Sequence, residues 1–241
     1  MPYDIASLRV LPGVAPLGQK DWLIRDEAFA GQMAMRDHLL QTRRGQVLQM
    51  DELARAPAVE LLEMVLREVG PERGAQITRP DGIEVVVDRD DPLGTLCRLV
   101  QEDFCILQKL GDKVSEQHIL TGAILCFPAS WRLDEKFMAP LIGIHGAVAE
   151  YDTQLATRVQ RLFDGVKPGR PLWRFNALWY DDPTLFQPRS AHERRTAGDE
   201  SNAAYLRSEK QSILRLPETG AVVFSIHTYV LDRASVLPSD R

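Results

Sequence analysis

Residues 205–231 read Tyr205-Leu206-Arg207-Ser208-Glu209-Lys210-Gln211-Ser212-Ile213-Leu214-Arg215-Leu216-Pro217-Glu218-Thr219-Gly220-Ala221-Val222-Val223-Phe224-Ser225-Ile226-His227-Thr228-Tyr229-Val230-Leu231. Two runs of strand-forming residues flank Pro217-Glu218-Thr219-Gly220, and Pro and Gly at the two ends of that tetrapeptide punctuate a turn. The spacing predicts a long β-hairpin. Side chains alternate along a strand, so Tyr205, Arg207, Glu209, Gln211 and Ile213 share one face, with Ser208, Lys210 and Ser212 on the other. The same alternation groups His227 with Val223, Ser225 and Tyr229.

Upstream, residues 172–180 alternate as well, with Trp173, Phe175, Ala177 and Trp179 on one side and Arg174 and Asn176 on the other. Residues 119–127 form a mostly apolar strand closed by Pro128. Between them, residues 152–166 place Leu155, Val159, Leu162, Phe163 and Val166 on one helical face. Residues 187–203 are polar and expected to form a loop. The first half of the chain is helical in pattern. Helices are expected over 22–40, over 57–69, and from Asp91-Pro92 onward, where Asp91 suits an N-cap and Pro92 the first helical position. The last of these would bury Leu93, Leu96, Cys97, Val100, Phe104 and Leu107. A short β-branched run covers 83–87. Helices early and strands late predict an α+β fold with a mostly antiparallel sheet. Residues 1–20 read as a loose arm and 21–241 as a single domain with a helical N-terminal part.

At 241 residues with 44% hydrophobic content, the chain can build a core without disulfides. A net charge of −5 argues against nucleic acid as a partner. No run approaches the ~18 apolar residues that span a bilayer, and Met1-Pro2-Tyr3-Asp4 lacks the flank of a signal peptide. Cys97, Cys105 and Cys126 form no C-x-x-C pair and sit in apolar patterns, so they are expected as small core residues in a reducing, cytoplasmic setting.

The five histidines, His38, His118, His145, His192 and His227, show no zinc-protease spacing. No nucleophile elbow, phosphate-binding loop or dinucleotide fingerprint is present. Two segments stand out. In Leu141-Ile142-Gly143-Ile144-His145-Gly146-Ala147-Val148 a histidine lies among apolar and small residues. Imidazole there suits haem iron, and equally a core histidine satisfied by backbone. The second is the face carrying Arg207, Glu209 and Gln211. Turned inward it needs a ligand or partners; turned outward it is a cross-strand ion-pair ladder.

Six segments in order together resemble the haem-dependent oxidative N-demethylase family, in its haem-binding alpha subunit. They are Leu99-Val100-Gln101-Glu102-Asp103-Phe104-Cys105-Ile106-Leu107-Gln108; Cys126-Phe127-Pro128-Ala129-Ser130-Trp131 with Lys136 beyond; Ile144-His145; Trp173-Arg174-Phe175-Asn176; Leu206-Arg207-Ser208-Glu209-Lys210-Gln211; and Leu216-Pro217-Glu218-Thr219-Gly220-Ala221. The resemblance implies a PAS-like antiparallel sheet with helices on one side, enclosing haem b. It implies oxidation of a small secondary amine such as dimethylamine by O2. Partner reductase subunits would carry FMN, a 2Fe-2S cluster and tetrahydrofolate. On this reading His145 ligates the iron, with His227 as second candidate. Arg207 donates to dioxygen, Glu209 or a neighbouring carboxylate pairs with the substrate ammonium, and Gln211 and Tyr205 position it. Lys136 and Arg132 are candidates for the haem propionates, or alternatively charges of a surface turn. The chain departs from the family in Ala147-Val148-Ala149, where Pro-Val-Pro is usual, in Lys210-Gln211-Ser212 for Arg-Gln-Thr, and in His227 where arginine is common. A haem-binding sensor without catalysis, and a structural subunit without haem, are the rival functions.

Overall fold

The computed structural model describes residues 1–7, 13–70, 75–111, 117–129, 131–145, 153–190, 193 and 202–236. Its centre is a seven-stranded antiparallel sheet in the order β1-β7-β8-β9-β5-β6-β2. The strands are β1 (Ala15–Pro16), β2 (Leu48–Met50), β5 (Asp103–Gln108), β6 (Ile119–Ile124), β7 (Leu172–Tyr180), β8 (Tyr205–Arg215) and β9 (Val222–Asp232). A separate small hairpin pairs β3 (Gln76–Thr78) with β4 (Glu84–Val86).

The long hairpin of β8 and β9 forms as its sequence dictates. The chain reverses through Pro217 to Gly220, where Gly220 takes φ +72°, a left-handed conformation that a side chain would strain. A carboxylate from elsewhere fixes this turn. Glu60, buried on helix α3 (Arg55–Val69), accepts hydrogen bonds from the backbone N–H groups of Glu218 (2.7 Å) and Thr219 (2.8 Å) and from the Thr219 hydroxyl (2.6 Å). Charge-assisted bonds of this kind contribute more than neutral ones. Glu60→Ala is expected to cost about 1–2 kcal/mol, because water can reach the exposed turn and replace part of the loss. Urea denaturation at constant slope measures it.

Helices pack on both faces of the sheet. On one face Leu39 of α1 (Phe29–Thr42), Leu61, Leu62 and Val65 of α3, and Leu93, Leu96 and Cys97 of α4 (Pro92–Leu99) bury Phe104, Ile106, Ile124 and Val223. On the other, Leu133 of α5 (Leu133–Lys136), Leu141 of α6 (Leu141–His145) and Phe163 of α7 (Thr153–Gly165) bury Cys105, Leu107, Leu120, Ile213 and Ile226. The expectation of helices on one side is therefore corrected. β5 and β9 are central strands with apolar residues of both parities, so each face needs its own cover. Arg215 ties the second layer to the hairpin, donating to the carbonyls of Phe163 (2.7 Å) and Val166 (2.7 Å) at the end of α7 and to that of Gly220 (2.5 Å). Two short helices, α2 (Arg44–Val47) and α8 (Arg233–Val236), and two 3-10 turns, Ile5–Ser7 and Glu52–Ala54, complete the described elements.

Helix α4 starts at Pro92 with Asp91 accepting from the Gly94 N–H (3.2 Å), as its cap predicts, but it ends at Leu99. Phe104 and Leu107 belong to β5, not to a continued helix. A strand buried on both sides reads as a continuous apolar run, and periodicity cannot separate it from a buried helix. The described parts of the N-terminal arm are docked rather than loose. Tyr3 stacks on Phe175 (4.2 Å between centroids) and its hydroxyl meets Ser208 Oγ at 2.8 Å, while β1 pairs with β7. Among the described residues no helix is long and apolar enough to cross a membrane.

A fully buried ion pair joins the layers. Arg36 of α1 donates to Asp103 Oδ1 (2.6 Å) and to the carbonyls of Cys97 (3.0 Å), Gln101 (3.2 Å) and Glu102 (2.8 Å). Asp103 in turn accepts from the backbone N–H groups of Cys126 and Phe127, each at 2.8 Å.

Candidate functional site

Register decides which side chains meet. In the β7–β8–β9 ladder Arg174 stands opposite Gln211, Asn176 opposite Glu209, and Glu209 opposite Thr228. Cross-strand partners share a face, so Arg174, Asn176, Arg207, Glu209, Gln211 and Thr228 form one polar surface, the front face. Ile213 and Ile226 border it where α5, α6 and α7 cover the sheet.

The front face is largely withdrawn from water, with Arg174, Asn176 and Glu209 half-buried and the others buried. Arg207 is 4% exposed, Gln211 8% and Thr228 1%. Burial of Arg207, Gln211 and Thr228 argues against a fully solvated ion-pair ladder. The Glu209 carboxylate is gripped on one side: Asn176 Nδ2 and Gln211 Nε2 both donate to Oε2 at 3.1 Å. Its Oε1 lies 3.8 Å from Arg207 Nη2. Arg207 is itself held by the carbonyls of Leu185 (3.1 Å) and Phe127 (2.5 Å), which fix the guanidinium before any ligand arrives. Arg174 Nη1 donates to Gln211 Oε1 at 2.7 Å. Burial pulls the Arg174 pKa below its ordinary value, against the attraction of Glu209. The buried atoms Arg174 Nε, Arg207 Nε and Thr228 Oγ1 have no hydrogen-bond partner. Unpartnered donors on a buried face are costly unless something binds there.

The other predicted residues scatter. Tyr205 is on the same strand but at its far end, between Tyr180 and Asp232. Lys136 is buried and donates to the Gly143 carbonyl (3.1 Å). Arg132 is exposed and binds Asp134 through two contacts, at 3.0 and 2.5 Å, which makes it part of a charged surface turn. His145 closes helix α6, and its side chain lies outside the described residues. His192 lies outside them too.

His227 stands on the opposite, back face with Lys210. Both its ring nitrogens are taken: Nδ1 meets Glu102 Oε1 at 3.0 Å and Nε2 meets Asp26 Oδ2 at 3.2 Å. Burial lowers the pKa of this ring, but the hydrogen bonds and charges of Asp26 and Glu102 outweigh it and raise the pKa to about 9. A protonated imidazole with both N–H groups engaged offers no lone pair to iron, so His227 as a ligand is corrected to a structural clamp. It closes a back-face network in which Gln101 Nε2 donates to Asp26 Oδ1 (2.7 Å) and to Gln32 Oε1 (3.0 Å). His118, buried beside Gln160 (2.9 Å), has its pKa pushed down to about 4 by burial and stays neutral.

Residues 13–237 match the family model described as haem-dependent oxidative N-demethylase, alpha subunit-like. The chain belongs to that family.

Within the haem-dependent oxidative N-demethylase, alpha subunit-like family the resemblance segments now have physical roles. Gln101-Glu102-Asp103 builds the back-face network and the Arg36 pair. Leu216 to Ala221 is the turn gripped by Glu60. Arg207, Glu209 and Gln211 make the front face. Its chemistry fits the family's haem: buried donors at Arg207 Nε and Thr228 Oγ1 lack acceptors, and Ile213 and Ile226 supply apolar wall beside them. No group of three or more His, Cys, Asp or Glu residues among the described ones could hold a bare metal ion. Sequence reasoning did not assign Arg174, Asn176 or Thr228 to the site. Alternation had placed Arg174 and Asn176 on one side of β7, and only the register with β8 was wanting.

Proposed function

We propose that this chain is the haem-carrying, substrate-oxidising subunit of an N-demethylase acting on a small secondary amine. The observation that carries the proposal is Glu209, a half-buried carboxylate with one oxygen saturated by two amides and the other turned toward a fixed arginine. The strand order β6-β5-β9-β8-β7, with α5, α6 and α7 in the connection from β6 to β7, supports a PAS-like reading. On this proposal the haem would lie between the front face and that connection, with His145 as iron ligand. Haem, when bound, supplies the activation of O2 for oxidation of an N-methyl group.

The chain's own residues bind and orient. Asn176 and Gln211 hold the Glu209 carboxylate so that Oε1 receives the substrate ammonium and takes its proton. Arg207, already desolvated and held by two carbonyls, presents fixed positive charge where negative charge develops on oxygen, with no reorganisation at that moment. Tyr205 lies at the far end of β8, opposite Tyr180 and Asp232, and is given no part in this step. One oxygen atom enters the methyl group and the other leaves as water. Two electrons come from a reductase partner and two protons from solvent, and the carbinolamine collapses to formaldehyde and the primary amine. An alpha subunit implies a multi-subunit complex; FMN, 2Fe-2S and tetrahydrofolate belong to its partner subunits, and a cytoplasmic setting suits that electron supply.

The test is optical and chemical. Protein expressed with haem precursor is expected to show a Soret band and, with dimethylamine, O2 and a surrogate reductant, to release formaldehyde. Glu209→Gln should keep the Soret band and lower kcat/KM for formaldehyde by about 10²-fold or more, the usual range for a positioned acid–base group. Absence of a Soret band after haem is supplied overturns the proposal. A Soret band without turnover leaves the sensor reading instead.

A further inference from the structure

Among the described residues Arg174 meets no carboxylate within ion-pair distance; its only side-chain partner is a neutral amide oxygen, Gln211 Oε1 at 2.7 Å. Its Nε is buried and without an acceptor. The front face thus carries two guanidiniums, Arg174 and Arg207, against the single carboxylate of Glu209, whose nearer charged neighbour is Arg207. Burying cationic charge without a counter-charge is expensive, so the imbalance calls for an anionic group from outside the chain. Planar guanidinium with a free N–H edge matches the two oxygens of a carboxylate.

We propose that Arg174 holds a carboxylate on the front face, one carboxamide away from the anionic end of the site. The inference rests on the reading of that face as the substrate side. Gln211 spans the two charges: its Oε1 accepts from Arg174 and its Nε2 donates to Glu209 Oε2 at 3.1 Å. A cation and an anion separated by one amide group match, in reverse, the charges of an α-amino acid. An N-methylated α-amino acid lays its carboxylate on Arg174 and its methylammonium on Glu209, which extends the substrate class beyond simple dialkylamines. A haem propionate brings the same carboxylate chemistry from the cofactor.

Four ligands separate the sources. The full chain is titrated calorimetrically with N-methylglycine and with dimethylamine, and spectroscopically with haem and with haem dimethyl ester, in wild type and Arg174→Gln. The expected result is a loss of about tenfold or more in affinity for N-methylglycine or for haem, the scale of removing one partner of a buried charge pair. The matching carboxylate-free ligand should bind both proteins alike. Loss confined to N-methylglycine assigns the carboxylate to the substrate, and loss confined to haem assigns it to a propionate. If all four ligands bind the variant as they bind wild type, the proposal falls. It falls equally if the carboxylate-free ligands weaken as much, or if wild type binds neither carboxylate. Should Arg174→Gln not fold, Arg174→Lys is read in the same way with a threefold threshold. Failure of the demethylase reading looks different: neither macrocycle gives a Soret band and no formaldehyde forms, while the N-methylglycine arm can still succeed.

Discussion

Arg36→Met will lower the free energy of unfolding by about 3–5 kcal/mol, the usual cost of removing one partner of a buried ion pair. Both side chains are out of solvent, at 0% exposure for Arg36 and 2% for Asp103. Methionine fills much of the space but donates nothing. The Asp103 carboxylate then keeps only the backbone N–H groups of Cys126 and Phe127, and the carbonyls of Cys97, Gln101 and Glu102 lose their donor. Those acceptors lie where α4 gives way to β5, so the loss also loosens the packing of α1 on the sheet. Denaturant midpoints at unchanged slope measure the effect. A shift worth less than about 1 kcal/mol would mean that the pair contributes no more than an exposed one.

The second large effect is a dependence on pH. The folded state raises the His227 pKa from 6.5 to about 9, so it favours the protonated ring. The stabilisation is fully present below pH 6.5, falls as pH rises toward about 9, and is gone above it. The difference between those two pKa values corresponds to about 3 kcal/mol. Asp26, whose carboxyl is pushed up by burial but pulled net downward by the His227 and Gln101 bonds, reports the same contact and is not added. Lys210 stands opposite His227, with a pKa that burial lowers, so it titrates from the other side. The comparison that isolates the histidine is therefore His227→Gln, which should flatten the stability profile between neutral and pH 9. Tyr3 and Tyr229, both raised by burial, stay protonated through that window. An identical slope in wild type and variant would remove the clamp as the cause.

Elements governed by local chemistry were legible in the sequence. The strands of the late hairpin, the alternation of β7 and the cap of α4 each rest on residues adjacent in the chain. What depends on distant partners was not. Phe104 looks like the next turn of a helix until β9 and β6 claim it from either side. Arg207, Glu209 and Gln211 could be placed on one strand face, but Arg174, Asn176 and Thr228 join them only through a register that pairs residues tens of positions apart. His227 shows the reverse case. Alone in a strand it looks like an open ligand, and only folding brings Asp26 and Glu102 onto both its nitrogens. Arg36 gave no signal at all, since a helical arginine is ordinarily solvated.

Strand β8 presents one set of side chains to the front and the intervening set to the back. Arg207, Glu209 and Gln211 face the proposed chemistry, while Ser208 and Lys210 secure the N-terminal segment through Tyr3 and the Asp21 carbonyl. Evolution can therefore retune either surface by single exchanges at alternate positions while leaving its neighbour untouched. Inserting or deleting one residue in that ribbon has no such freedom, because it turns recognition and anchorage inside out together.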